Sequence, residues 1–424
     1  MADKRNIVLI TLDSVRADHC SFMGYHRKTT PTLDKMARKG LVFENAYAPS
    51  SRTLPSMVSL FTGETITKYT RCNSEEEFGK NGRLNLKRKT TLAEALSKKG
   101  YTTGAFNPNA YASRHFGFNK GFSYFQDFLF DEGMFSRYLK GGKLIRVIRN
   151  VKNLLEKKEV FRLWESYYDF ILSWVKNARE PFFLWVFLLD THFPYIVPRK
   201  HKQWGGYIEQ FYYSFKLYKM ISKPNINISR KEKRKIIDNY DDSIYYADKF
   251  IGRICRDLED YDPLVIIHAD HGEAFFERGF YGHFFPCMYE ETIRVPLVVY
   301  NGDTKERVNK PVSLLDLYPA LLCFAETGDL FSSLADKNWT ISKEIDFRRG
   351  GKEMFSIRLG DWKFITGQKN EDELYYLKED PNEQENLVDK YPELAKEMKK
   401  IIEKHIKLEI ERKTIRDRIP KLRI

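Results

Sequence analysis

Three apolar runs in this chain end in residues that hold metals or move protons. "NIVLITLD" (6–13) ends in Asp13. "PFFLWVFLLDTH" (181–192) ends in Asp190, Thr191 and His192, and "DPLVIIHADHGE" (262–273) in Asp270, His271 and Glu273. An Asp-His pair directly after a buried strand suits a divalent cation. Carboxylate oxygen with imidazole nitrogen fits zinc or manganese; an all-oxygen shell would fit calcium or magnesium better. Asp13 would add a ligand from a neighbouring strand. A fourth candidate lies in "SSRTLPSMVSLFTG" (50–63). Thr53 there reads as a helix N-cap, with Pro55 in the first turn. Its hydroxyl would lie at the positive end of the helix. A bound cation and that dipole would favour the alkoxide, which free threonine hardly populates. Thr53 could serve only as a cap, but three such strand ends favour a nucleophile aimed at a metal-bound ester.

Such a site needs a scaffold that gathers strand ends. In open parallel sheets, ligands bind beyond the carboxyl ends of the strands. The three runs above and "VPLVVYN" (295–301) read as buried strands. "TLAEALSKKGYTTGAF" (91–106) reads as a helix, a glycine stop and a strand. "NISRKEKRKIIDNYDDSIYYADKFIGRICRDLED" (227–260) is a long amphipathic helix starting near Ser229, and "SLLDLYPALLCFA" (313–325) another helix. The pattern implies an α/β fold, a large mostly parallel β-sheet with helices on both faces. We assign residues 1–330 to this catalytic domain, with a basic helical insertion over 127–180. Residues 335–424 form a small C-terminal α+β subdomain. It holds an antiparallel hairpin with turns at "GD" and "EDPNE", then a basic helix from about Pro392 to Lys413.

The ordered motifs resemble the sulfatase family of the alkaline phosphatase superfamily. "NIVLITLDSVRADHCSFMGY" is similar to the family's first strand and metal motif, and "TLPSMVSLFTG" to its nucleophile segment. "FLLDTHFPY" is similar to the strand bearing an active-site histidine, and "HADHGE" with "GHFFPCMYEETIRVPLVVY" to the second metal motif and its downstream histidine. The resemblance implies that Asp13, Asp270 and His271 are metal ligands and that Thr53 stands at the nucleophile position. It implies that His192 contacts the transferred group and protonates the leaving oxygen. It places His283 near the leaving group or a second metal, and Asn109 as an additional anion contact. Three departures bear on the chemistry. Sulfatases convert a cysteine or serine to formylglycine within C/S-x-P-x-R, whereas this chain has "TLPSM". Met57 stands where that arginine would be, and Ser14 where many members carry a second aspartate. The resemblance therefore argues against formylglycine and for a plain threonine, as in phosphotransferases and phosphodiesterases of the superfamily. The expected function is metal-dependent hydrolysis of sulfate or phosphate esters; phosphoryl transfer or phosphodiester cleavage is the alternative. An inactive polyanion-binding relative is a third reading.

Bulk properties bound the partners. The net charge of +13 favours anionic partners in general. These are an anionic ester such as a sulfated or phosphorylated sugar, lipid or small molecule. No basic-aromatic pattern for specific nucleic-acid binding appears. The basic terminal helix leaves open a peripheral membrane contact; its isoleucines recur at helical spacing, as for packing on the body or a second subunit. Five scattered cysteines without a CxxC pair argue against a disulfide framework and a structural zinc site. "MADKRNIVLITLD" carries too short an apolar run for a secretory signal, and "FFLWVFLL" (182–189) is far short of a membrane span. A soluble, cytoplasmic protein is expected. His268 reads as a packed strand residue. His19, His26, His115, His201 and His405 carry no role, and most read as surface residues.

Overall fold

The computed structural model describes residues 4–65, 86, 89–128, 163–222, 228–283, 287–334, 338–346, 352–367 and 372–418. Most of the expected 127–180 insertion, residues 129–162, lies outside these. The central sheet has eight strands: β1 (Ile7–Leu12), β2 (Leu41–Phe43), β4 (Thr102–Asn107), β5 (Tyr124–Asp127), β6 (Phe182–Leu188), β7 (Leu264–Ala269), β9 (Leu297–Tyr300) and β10 (Glu306–Val308). Their spatial order is β10-β2-β9-β7-β1-β6-β4-β5. A small sheet of β3 (Ala46–Tyr47), β8 (Arg294–Val295) and β11 (Val312–Ser313) sits beside it.

Strands β7, β1, β6, β4 and β5 run parallel. Each of β1, β6 and β7 is fully buried along its length, hence the unbroken apolar runs. Strand β9 runs antiparallel to both neighbours, β7 and β2. Its apolar run carried no sign of direction. Among the described residues, the one helix between β7 and β9 has four residues, Glu290–Ile293. No crossover helix returns it to the other end of the sheet, so it comes back antiparallel.

Alternation along β6 shows that both faces are covered. Trp185 meets Phe61 of helix α2 (Thr53–Thr62) at a ring separation of 4.5 Å. Phe182, three residues away and on the opposite face, meets Trp174 of α4 (Tyr168–Asn177) at 6.0 Å. Helix α2 gathers with α3 (Leu92–Lys98) and α7 (Leu317–Thr327). A second group joins α1 (Pro31–Ala37), α5 (Tyr207–Ser222) and α6 (Arg230–Asp257). Ser229 and Glu232 form a capping box that starts α6 where the sequence placed it. The inner face of α6 carries buried acids rather than apolar residues alone. Asp241 takes the Arg27 guanidinium, the Tyr25 hydroxyl and His19 Nδ1 at 2.7–2.8 Å. His19 is thus a buried hydrogen-bond partner of Asp241, not a surface residue.

The C-terminal part is a four-stranded antiparallel sheet of β12 (Trp339–Asp346), β13 (Lys352–Leu359), β14 (Trp362–Thr366) and β15 (Glu373–Tyr376). Gly360 and Asp361 turn the chain between β13 and β14. "EDPNE" follows β15 as a turn outside the sheet. Helix α8 (Pro392–Arg418) lays Ala395, Met398 and Ile402 on Ile357, Phe364 and Leu374 of this sheet. Its apolar face, up to Ile402, is therefore covered by the chain itself. No helix among the described residues is long and apolar enough to cross a membrane. Cys20, Cys255, Cys287 and Cys323 are free thiols.

The C-terminal sheet joins the body through a buried charge. The Lys363 ammonium, without solvent exposure, lies 2.9 Å from Glu290 and 2.8 Å from Glu383. The two carboxylates hold its pKa up against burial. Removing the cation would strand two buried acids. Lys363→Met is expected to destabilise the protein by about 3–5 kcal/mol, read as a shift in the denaturant midpoint. Adding Glu290→Gln and Glu383→Gln should recover much of that loss.

Candidate active site

The strand register assembles the site. Leu12 pairs with Leu188 on one side and with Ala269 on the other. The next residues, Asp13 and Asp270, therefore leave the sheet side by side. Their amides continue the ladder, Asp13 N to Leu188 O at 3.0 Å and Asp270 N to Leu12 O at 3.2 Å. His271 Nε2 lies 3.5 Å from Asp270 Oδ2 and 4.0 Å from Asp13 Oδ1. One donor atom from each of Asp13, Asp270 and His271 lies within 4.8 Å of the others, and all three residues are buried.

Ser14 makes this crowding tolerable. It adopts a left-handed conformation with φ of 58°, which costs a non-glycine residue on the order of 1 kcal/mol or more. That turn aims its amide at Asp270 Oδ1 (3.1 Å) while its hydroxyl donates to Asp13 Oδ1 (2.6 Å). Where the resemblance pointed to a missing third carboxylate, Ser14 supplies two donors instead. Asn109 donates from Nδ2 to Asp13 Oδ2 at 2.5 Å. It acts on a carboxylate of the site.

Thr53 is the first residue of α2 rather than its cap. The Arg52 carbonyl accepts from the Ser56 amide at 3.1 Å, so Arg52 is the N-cap and makes no side-chain capping bond. The sequence pattern put the cap one residue late because threonine is the preferred cap type and arginine is not. The consequence is chemical: the Thr53 hydroxyl is not spent on the helix. It lies 3.1 Å from His271 Nε2. Ser56 Oγ donates to the Asp270 carbonyl at 2.6 Å, tying the first turn of α2 to the end of β7. Met57 is in the hydrophobic core, away from the site's polar groups.

The histidines converge around this point. The His283 ring is 4.3 Å from His271 and 5.3 Å from His192, centre to centre. His192 Nδ1 donates to the Phe193 carbonyl at 2.6 Å. His283 Nδ1 faces Glu273 Oε1 at 2.9 Å, and Glu273 Oε2 accepts from the Tyr195 hydroxyl at 2.9 Å. Glu273 therefore orients His283, a contact that the strand-end pattern flagged only as a residue type. Asp190 points elsewhere and accepts from the Trp164 amide at 3.0 Å. Thr191 donates to the Asp13 carbonyl at 2.6 Å. His268 stays on the strand, bonded to the Thr11 hydroxyl at 2.9 Å, and burial lowers its pKa to about 4.

Electrostatics separate these groups. Burial pushes Asp270 up to about 7 against the pull of nearby donors. Burial and then the Asp270 charge raise Asp13. Burial pushes His271 and His283 down to about 3, so both are neutral. His192 moves the other way: burial lowers it, but the charges of Asp13 and Glu273 outweigh burial and raise it above the ordinary histidine value. Asp270 Oδ2 is buried and accepts no well-formed hydrogen bond among the described residues. Two crowded carboxylates, a neutral imidazole and an unsatisfied carboxylate oxygen fit a divalent cation.

Comparisons with known proteins place this chain in a family. The family model described as Sulfatase matches residues 5–327, a stretch that spans the site residues from Asp13 to His283. The chain is 25% identical to arylsulfatase K of Canis lupus familiaris over 457 residues, covering 92% of this chain and 80% of that one. It is 25% identical to an arylsulfatase of Clostridium perfringens, covering 95% and 94%. In fold it is similar to the phosphonate monoester hydrolase of Agrobacterium radiobacter, with a TM-score of 0.71 at 18% identity over 96% of each chain. A protein solved with its substrate D-glucosamine-2-N,6-O-disulfate matches with a TM-score of 0.69 at 16% identity, over 96% of this chain and 98% of that one. The chain belongs to the sulfatase family of ester hydrolases, within the alkaline phosphatase superfamily.

Proposed function

We propose that this protein is a metal-dependent hydrolase of sulfate or phosphate esters that works through a covalent intermediate on Thr53. The observation that carries this reading is the 3.1 Å approach of the Thr53 hydroxyl to His271 Nε2, beside the converging Asp13 and Asp270 carboxylates. Asp13, Asp270, His271 and Thr53 would hold the ion, and their mixed oxygen and nitrogen donors favour zinc or manganese over calcium or magnesium. A bound cation there draws charge from the transferred group and promotes loss of the Thr53 proton to solvent.

The chain's own residues supply the remaining steps. Thr53 Oγ1 bonds to sulfur or phosphorus as the ester oxygen leaves. Protonated His192 gives that oxygen its proton. In the second step His192 takes a proton from water as the water attacks, and the bond to Thr53 Oγ1 breaks. Neutral His283, anchored through Nδ1 on Glu273, offers its other nitrogen as an acceptor to the alcohol or the water. The names of the relatives, arylsulfatase and phosphonate monoester hydrolase, support an anionic ester substrate. Threonine at 53 and a core-packed Met57 favour a plain hydroxyl nucleophile over formylglycine. They also support a second reading, in which the ester is a phosphodiester or an acceptor alcohol replaces water.

Thr53→Ala is expected to lower turnover by at least about 10³-fold while the protein stays folded. Assays on aryl sulfate, aryl phosphate, aryl phosphonate and diaryl phosphate with restored manganese or zinc would measure it. Turnover unchanged in Thr53→Ala would sink the nucleophile assignment, and polyanion binding without any turnover would sink the enzymatic reading. Asp270→Ala should lose metal affinity in calorimetry. Metal affinity should also depend on pH. Protons compete for Asp270 below about 7, so affinity should fall about tenfold per pH unit below that value and level off above it. A flat profile from pH 5.5 to 8.5 would remove Asp270 from the ligand set.

A further inference from the structure

The turn that delivers Thr53 is held by the C-terminal sheet. Residues 48–52 connect β3 to α2, and each touches β12. Ser342 Oγ donates to the Ala48 carbonyl at 2.7 Å, and the Lys343 amide to the Pro49 carbonyl at 2.8 Å. Glu344 is the centre of the contact and is 1% exposed. Its Oε2 accepts from Ser50 Oγ at 2.6 Å and from Ser51 Oγ at 2.9 Å. Its Oε1 accepts from the Arg52 guanidinium, which also donates to the Ile345 carbonyl at 2.7 Å. The start of α2 has no side-chain cap of its own. A helix entry left without a cap is free to fray or tilt. Here one buried carboxylate binds three consecutive side chains just before the proposed nucleophile. Glu344 lies beyond residues 5–327, the stretch that the family model matches.

We propose that Glu344 is a positioning residue for the reaction: it clamps Ser50, Ser51 and Arg52 so that the Thr53 hydroxyl is held against His271. This rests on the reading of Thr53 as nucleophile. Among the described residues, Glu344 makes no hydrogen bond to Asp13, Asp270 or His271, three of the four proposed ligands, although its charge reaches His283. Its loss should therefore lower the chemical step far more than metal binding, which loses at most the Thr53 contact. A displacement of the nucleophile by about 1 Å costs on the order of 10²-fold in rate.

The test compares wild type, Glu344→Ala, Ser50→Ala/Ser51→Ala and Thr53→Ala as full chains. Turnover is read on 4-nitrophenyl sulfate and bis(4-nitrophenyl) phosphate with manganese. Manganese affinity comes from calorimetry, and amide hydrogen exchange of peptides covering 48–58 from mass spectrometry. The expected result for Glu344→Ala is a kcat lower by about 10–100-fold with KM nearly unchanged and manganese affinity lowered much less than kcat. Exchange over 48–58 should quicken at least about tenfold, while peptides from β1 and β7 stay protected. The double serine variant keeps the Arg52–Glu344 pair. It should show the same pattern in weaker form, and it carries the test if Glu344→Ala fails to fold. Folded variants with wild-type kcat and wild-type exchange overturn the clamp. So does a double serine variant indistinguishable from wild type. A Thr53→Ala protein with full turnover, beside quickened exchange in Glu344→Ala, would overturn the nucleophile and leave the clamp standing.

Discussion

Two carboxylates that share one buried corner govern this structure. Parallel pairing of β1 and β7 in one register sets Asp13 next to Asp270. Neither side chain reaches solvent. Burying an ionised carboxylate costs on the order of several kcal/mol unless the charge is answered. The surroundings answer it in part: the left-handed Ser14, the Asn109 amide, and the His271 amide at 2.9 Å from Asp270 Oδ1. What remains is a raised Asp270 and an oxygen that accepts no well-formed hydrogen bond among the described residues. Stability alone would favour replacing such a pair with apolar residues. A concentration of negative charge at a strand end is useful where a cation is to be captured.

Three histidines in the same pocket are then shifted in opposite directions by position alone. His192 sits where the Asp13 and Glu273 fields outweigh its burial. His271 and His283 sit where burial prevails, and His283 is further lowered by the His192 charge. One imidazole is made more basic while its neighbours stay available as neutral nitrogens. Distinct roles for chemically identical side chains are set here by a few ångströms of placement. The Glu273–His283 contact fixes which nitrogen of His283 faces inward.

The central sheet was legible in the sequence because its strands are buried on both faces and so spell continuous apolar runs. The acidic and imidazole endings of those runs stood out for the same reason: polar residues follow abruptly where the sheet stops. The capping box at Ser229 was readable because its chemistry is local. What escaped depends on distant partners. Nothing in "VPLVVYN" encodes that β9 runs antiparallel, since direction follows from the connection before it. Arg52 was passed over as the cap because arginine is not a preferred cap type, and the residue that holds its side chain, Glu344, is 292 residues away. Asp190 had the right type and location at a strand end, yet its neighbour Trp164 claims it. His19 looked superficial until Asp241 came across from α6.

The distance along the chain between Ser50 and Glu344, 294 residues, bears on how the protein comes to life. Contacts of such separation form late, because chain entropy opposes them until intervening elements have packed. During synthesis the body emerges first and folds as a unit. Strands β1 and β7 are then complete while β12 is still within the ribosome or just leaving it. The turn before Thr53 gains its grip only when the last quarter of the chain arrives. The proposed reactive centre is therefore finished near the end of translation, and fragments cut short before residue 344 carry the metal-type donors without the grip on the turn that precedes Thr53.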